Sequence, residues 1–307
     1  MTKSATKEAV VIDPLHVVVN EGAKLPSLPE VLLRLDRELA KEDVDLAKIG
    51  KLVGMDPVLS GQILRLANSA WYSRGGKPIQ ELSRALIRLG IPTTKELVHA
   101  LVMPSLFPKR GGSIDMDAFW KHSFAVALFA QAIGRRRKLS REKLDLLWTA
   151  GLLHDIGALL LDLVAAETYR RLIRICDQTA DEGTEPLPID LCALEREWLG
   201  TDHAIMGSIF LQKFWKLPEN IVWCVRYHED LGWALDEPEA LDSIVPIHVA
   251  VSLCDQNSVS WVPPRARQSV GLGEAWKRLG FGDEVVAEMA GEVEKAMEQA
   301  ELMLRAS

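Results

Sequence analysis

An excess of basic charge is the first thing this sequence lacks: 36 lysines and arginines face 43 aspartates and glutamates over 307 residues, a net charge of −7. That balance argues against broad electrostatic binding to nucleic acid or to anionic lipid. The one dense basic run, Arg135-Arg136-Arg137-Lys138, follows a helical pattern ending near Ile133, where cations complement the helix dipole. A solvated helix end is the expected reading. Cysteine is scarce as well. Cys176, Cys192, Cys224 and Cys254 contain no C-x-x-C pair, which excludes a zinc knuckle and a secreted disulfide framework. Reduced, mostly buried thiols are expected instead. The opening MTKSATKEAVVIDP lacks the apolar core of a signal peptide. The longest apolar region, Leu146 to Ala166, is interrupted by His154, Asp155 and Asp162, so it reads as a buried helix pair rather than a membrane span. These absences predict a cytoplasmic protein with no membrane insertion.

What is present is helical periodicity almost throughout, with no internal repeat and no convincing alternation of strands. Residues 1–24 read as a polar arm, in which Val17–Val19 is a short strand or an extended tail. Leu25-Pro26-Ser27-Leu28-Pro29 is an extended turn, and Pro29 opens a helix over Glu30–Ala40. Asp43 or Asp45 caps the next helix, and Asp56-Pro57 supplies the N-cap and first residue of another. Gly90 stands where a helix should end. Phe107-Pro108-Lys109-Arg110-Gly111-Gly112 is the clearest linker. The organisation expected is an N-terminal lobe over 25–110, a helical bundle over 114–260 interrupted by a charged loop at Asp177–Pro188, and a helical tail over 261–307. In that tail Val285, Met289, Val293, Ala296 and Met297 form one stripe.

The bundle carries the chemistry. His122, the pair His154-Asp155, His203, His228 and Asp255 lie in five separate helical segments, each on the apolar side of its own. Ala125, Val126, Phe129 and Ile133 share a face with His122, as Met206, Gly207, Phe210 and Leu211 do with His203. Ile221 and Val225, or Cys224 in its place, stack behind His228, and Val251 and His248 behind Asp255. Buried ionisable groups pair or bind metal, because an isolated buried carboxylate costs several kcal/mol. The economical arrangement is convergence on one polar centre. His16, His99 and His248 are assigned no role and read as hydrogen-bonded core histidines.

Several separate segments resemble the HDOD output domains of bacterial signalling proteins, a branch of the HD superfamily. Leu25-Pro26-Ser27-Leu28-Pro29-Glu30-Val31 is similar to that family's LPxLPxV opening. Asp56-Pro57-Val58-Leu59-Ser60 through Leu64-Arg65-Leu66-Ala67-Asn68-Ser69-Ala70 is similar to its DPxLxxxxLRLANSA segment, and Ala85–Gly90 to its AIxxLG turn. Phe119-Trp120-Lys121-His122-Ser123 and Gly151-Leu152-Leu153-His154-Asp155-Ile156-Gly157 correspond to FWxHS and AGLLHDIG. Asp202-His203-Ala204, Trp215-Lys216-Leu217-Pro218 and Tyr227-His228 complete a resemblance over about residues 22–260. It implies an all-α fold, an HD-type bundle with an additional N-terminal helical lobe. It also implies a regulatory role, with another signalling protein as the partner.

By resemblance to HD phosphohydrolases, His122, His154, Asp155 and Asp255 match a minimal set for a divalent metal: manganese, iron, zinc, nickel or magnesium. His203 and His228 stand where the HD-GYP cyclic di-GMP phosphodiesterases, a related branch, have extra histidines. The chain departs from those enzymes in four places. Ala158 replaces the lysine of HDxGK, Tyr227-His228-Glu229 replaces HHE, Ala118 replaces a glutamate, and Leu231–Leu241 has no GYP loop. A phosphoryl-transfer site needs cationic stabilisation of the developing charge. The expectation is therefore a non-catalytic scaffold or ligand-sensing module, with a metal-dependent phosphohydrolase acting on a nucleotide or cyclic dinucleotide as the alternative. Leu46–Asn68 superficially resembles a helix-turn-helix. Leu59, Ile63, Leu64, Leu66 and Ala67 demand burial there, so nucleic acid is not the expected partner.

Overall fold

The computed structural model describes residues 11–20, 25–39, 41, 43–73, 75–107, 112–177, 189–232, 234–263, 266 and 272–306. Among them there are helices and short 3₁₀ turns but no strand. In chain order the helices are α1 (Pro14–Asn20), α2 (Glu30–Leu39), α3 (Leu46–Gly54), α4 (Pro57–Ala67), α5 (Ala70–Ser73) and α6 (Leu82–Val102). There follow α7 (Met116–Arg136), α8 (Arg141–Leu153), α9 (Ile156–Val164), α10 (Ala166–Asp177), α11 (Leu191–Leu199) and α12 (His203–Lys213). The last are α13 (Glu219–Tyr227), α14 (Pro238–Leu241), α15 (Ile244–Gln256), α16 (Leu272–Leu279) and α17 (Asp283–Ala306). Most of the expected linker at 107–112 and of the charged loop at 177–188 lies outside the described residues.

The chain forms two compact units, Pro26–Pro108 with Glu298–Ser307, and Met1–Leu25 with Lys109–Met297. The first is closed by Leu32, Leu35, Ile49, Val53, Leu59, Ile63, Leu66, Leu86 and Leu97, all buried. Two of its helix starts are set by carboxylates. Asp45, rather than Asp43, caps α3 by accepting from the amides of Ala47 and Lys48, and Asp56 caps α4 through Val58 and Leu59. Gly90 takes φ 76° and ψ 165°, a conformation open to glycine, and breaks α6 just before Pro92. Asn68 accepts from the Ile79 amide and donates to the Ile79 carbonyl, both at 2.7 Å, while Arg88 braces the same turn through the Lys77 carbonyl. Its amide is therefore spent on folding the α4–α6 connection, and no base-reading role is left for it. Because Asp56 satisfies two helix-end amides, Asp56→Ala is expected to cost about 0.5–2 kcal/mol. A urea titration should show the lower midpoint with an unchanged slope; loss of a biochemical activity at full stability would contradict the capping role.

The larger unit is built round α7, whose residues Phe124 to Ala130 are buried on every side. The run at its end is more constrained than a solvated helix terminus: Arg137 donates to Asp242 and to the Leu279 carbonyl, and Arg136 pairs with Glu288 at 2.8 Å. Val17–Val19 belongs to a helix and not to a strand or an extended tail. Asp13 accepts from the amides of Leu15 and His16, Pro14 supplies a ready φ, and Ile12 and Val17 are buried, which together override the β-branched preference. Arg141–Val164 is long and apolar enough to cross a membrane by composition, but 83% of its apolar window is buried and its course breaks at His154-Asp155. The four cysteines are free and buried.

Candidate metal centre

The two glycines flanking His154-Asp155 explain how helices come close enough to form a centre. A Cβ on Gly151 would lie 2.6 Å from the Ala127 Cα, so α8 rests directly on α7. A Cβ on Gly157 would lie 1.9 Å from the His203 carbonyl oxygen and 2.6 Å from the Gly207 nitrogen, so α9 rests on α12. His122 then enters from the middle of α7. His154 and Asp155 occupy the turn between α8 and α9, His203 opens α12, and His228 closes α13. All five are buried.

Each imidazole is held from behind. The Nδ1 of His122 donates to the Val259 carbonyl at 2.6 Å, that of His154 to Gly151 at 2.8 Å, and that of His228 to Val225 at 2.8 Å. The Nδ1 of His203 donates to Glu195 at 2.7 Å, and the same carboxylate oxygen accepts the His203 amide at 2.8 Å. Fixing Nδ1 in this way aims the Nε2 lone pair inward, the arrangement that orients histidine ligands at metals. The four Nε2 atoms surround one carboxylate. Asp155 is 3.0 Å from His154, 3.3 Å from His228, 3.5 Å from His203 and 3.7 Å from His122.

Asp255 stands at the margin. It lies 4.0 Å from the Nδ1 of His122, on the side away from His154, and lines a small cavity together with His122, Asp155 and His203.

Burial alone would raise Asp155, but His154, His228 and His203 outweigh it and hold the carboxyl well below its ordinary range. Burial opposes a charge on His228 too, yet Asp155 and Glu229 push it up to about 9. Glu195 does the same for His203 against the same penalty. At His122 desolvation wins and lowers the group, and desolvation raises Asp255 to about 6.

These residues fit a metal ion. The Nε2 atoms of His122 and His154 are 3.2 Å apart, and those of His203 and His228 3.4 Å. With both Nδ1 protons committed outward, each pair opposes two lone pairs unless a proton or a cation lies between them. Two donor sets result, His122-His154-Asp155 and Asp155-His203-His228, each with its ligand atoms within 4.8 Å of one another. A third grouping, Cys192-Glu195-His203, is different. Burial pushes the Cys192 thiol up to about 12, and Glu195 is already engaged by His203 and by the Tyr169 hydroxyl at 2.8 Å.

Sequence reasoning missed three members of this centre. Glu195 is fully buried on a stripe with Leu191, Cys192 and Leu199; a carboxylate on that apolar period was the available signal. The indole nitrogen of Trp261 donates to Asp155 at 2.6 Å, from an irregular segment where no periodicity exists to read. His248, which carried no assignment, donates to the His228 carbonyl at 2.7 Å. The cavity left inside is about 20 Å³, the room for a single water or ion, and no lysine or arginine lines it among the described residues.

An all-helical chain with a His-Asp pair at a helix turn and histidines from neighbouring helices closing on it defines an HD-type protein. The profile of the HDOD domain family matches residues 25–231, and the chain belongs to that family. Three solved structures share the fold. An HDOD domain protein of unknown function from Geobacter sulfurreducens is 24% identical, with a TM-score of 0.74 over 94% of this chain and 98% of that one. A protein of Marinobacter aquaeolei VT8, provisionally described as a signal transduction protein, is 20% identical with a TM-score of 0.71 over 96% and 62%. One from Shewanella amazonensis SB2B, provisionally described as a phosphohydrolase, is 24% identical with a TM-score of 0.68 over 98% and 99%. An uncharacterised protein of Treponema pallidum (strain Nichols) is 26% identical over 226 residues, 72% of this chain; the chain spans 40% of that relative's length.

Proposed function

We propose that the chain is a regulatory signalling module whose HD centre is a metal- or water-holding core and not a site of turnover. The observation that carries this reading is the cavity. Pockets that take small-molecule substrates span roughly 300–1,000 Å³, whereas among the described residues the space beside Asp155 is about 20 Å³. A phosphoester held there would also find no lysine or arginine lining the cavity among the described residues, and Ala158 follows the HD motif where the phosphodiesterases have lysine. His122, His154, Asp155, His203 and His228 would hold the metal, with Asp255 beside His122. When bound, such an ion supplies Lewis acidity and an acidified water. Manganese, iron, zinc, nickel and magnesium all suit the nitrogen and oxygen donors. The module's partner would be another signalling protein.

One observation favours a second reading, a metal-dependent phosphohydrolase acting on a nucleotide or cyclic dinucleotide. The inward Nε2 atoms are set as ligands are, and the likeness to the Shewanella amazonensis fold points the same way. Elemental analysis of the purified protein, followed by assays on cyclic di-GMP and a nucleoside monophosphate with added manganese, iron or magnesium, separates the two. The expected result is bound metal or none, with no appreciable hydrolysis. Turnover that chelation removes, one metal restores and Asp155→Asn abolishes would overturn the regulatory reading.

A further inference from the structure

Past the end of α15 the chain runs through 257–263 without forming a helix, and this stretch is fastened to the HD centre. Ser258 turns it off α15 at φ 61°, in the left-handed region that glycine usually fills at a helix end. Three consecutive residues then hold three residues of the centre. The Val259 carbonyl accepts from the Nδ1 of His122 at 2.6 Å, Ser260 hydrogen-bonds the carboxylate of Asp255, and the Trp261 indole donates to the Oδ2 of Asp155 at 2.6 Å. Trp261 also packs on Phe119, with ring centroids 5.7 Å apart, and lines the small cavity together with Val262. Val259 and Trp261 are both buried.

A stretch held in this way can leave without unwinding a helix, because residues 260–263 belong to no helical ladder. Its hold also depends on the state of the centre. The Oδ2 of Asp155 is the oxygen that faces His154 at 3.0 Å and His122 at 3.7 Å, so an ion in the His122-His154-Asp155 set draws on the oxygen that the indole holds. Two groups that share one oxygen are linked. Whatever binds that set changes the hold on Trp261, and lifting Trp261 changes the affinity of the set by the same factor. The left-handed backbone at Ser258 adds a cost to the closed arrangement, which the contacts on the centre offset. We infer that 257–263 is an autoinhibitory strap. Closed, it seats the Trp261 indole on Asp155 and seals the HD centre; lifted, it opens His122 and Asp155 to solvent and ligands with the bundle still folded. This rests on the regulatory reading and names how access to its centre is controlled.

The test treats the full chain, as purified, with diethyl pyrocarbonate, which acylates accessible imidazoles; EDTA is present to take up any ion that opening releases. Peptide mass mapping follows His122 under the strap and His248, which is buried in the same unit but does not line the cavity. Lifting the strap exposes His122 alone, whereas unfolding of the unit exposes both. In wild type His122 should therefore react about tenfold or more faster than His248. Trp261→Phe keeps a ring against Phe119 but has no N–H for Asp155. It should raise the His122 rate by about tenfold again and leave His248 unchanged. Equal rates at the two histidines in wild type would overturn the strap. So would a Trp261→Phe variant in which His122 is no faster, or in which both histidines speed up together. Metal-dependent hydrolysis of cyclic di-GMP by Trp261→Phe, with His122 selectively opened, would overturn the regulatory reading alone.

Discussion

Gly157→Ala is expected to cost about 3 kcal/mol or more, at the upper end of what an extra methyl does in a packed core. The reason is that the new Cβ meets backbone. It would sit 1.9 Å from the His203 carbonyl oxygen and 2.6 Å from the Gly207 nitrogen, whereas ordinary contact begins at 3.4 Å. A side chain in the way can change rotamer; a helix backbone cannot. Relief requires α9 and α12 to part, which also pulls His203 from Asp155. Against a total stability of roughly 5–15 kcal/mol, this is enough to unfold a large share of the protein near its growth temperature. Denaturant titration reads the effect directly, and a midpoint within error of wild type would show that the two helices are not in contact at Gly157. Gly291, whose added Cβ would meet nothing within 4 Å, supplies the control: Gly291→Ala should be neutral or slightly stabilising in α17.

Asp155→Ala is the second large effect, about 3–5 kcal/mol, the range for removing one partner from a buried ionic cluster. The carboxylate is what His154, His203 and His228 have in common, and the Trp261 indole donates to it. Without it, several buried polar groups lose their counterpart at once. Asp155→Asn retains an acceptor for Trp261 and the shape of the side chain, so it should be measurably milder. A purely catalytic aspartate behaves in the opposite way, leaving the stability of the alanine variant unchanged. Chemical denaturation of wild type and both variants, repeated with chelator, distinguishes the two cases and shows how much of the loss passes through a bound metal.

Much of the centre was legible before any coordinates, and the residues show why. His122 and His203 sit inside helices whose apolar periods are clear, so their inward direction follows from 3.6 residues per turn. Asp56 was legible because a cap acts over two or three residues. Asn68 was legible only as a motif member; its clasp on Ile79 crosses a loop that carries no period. Val17 misled because β-branched propensity is a weak local preference, and Asp13, Pro14 and burial overrode it. Arg137 misled in a similar way, since a cation at a helix end has a sufficient local explanation even when Asp242, 105 residues further on, is what binds it.

The sequence by itself determined most of the helices, the cap at Asp56 and the break at Gly90, and the inward faces of His122, His154, Asp155, His203 and His228, because each of these depends on neighbours within a turn or two. Only the tertiary structure decided which atoms meet. That Glu195 fixes the ring of His203, that Trp261 reaches Asp155, that Asp255 lies at the Nδ1 edge of His122, and that the space left among the described residues is about 20 Å³ all depend on how far apart helix axes come to rest. Those separations are set by contacts such as Gly157 on His203, between residues 46 positions apart in the chain, and no local periodicity encodes them.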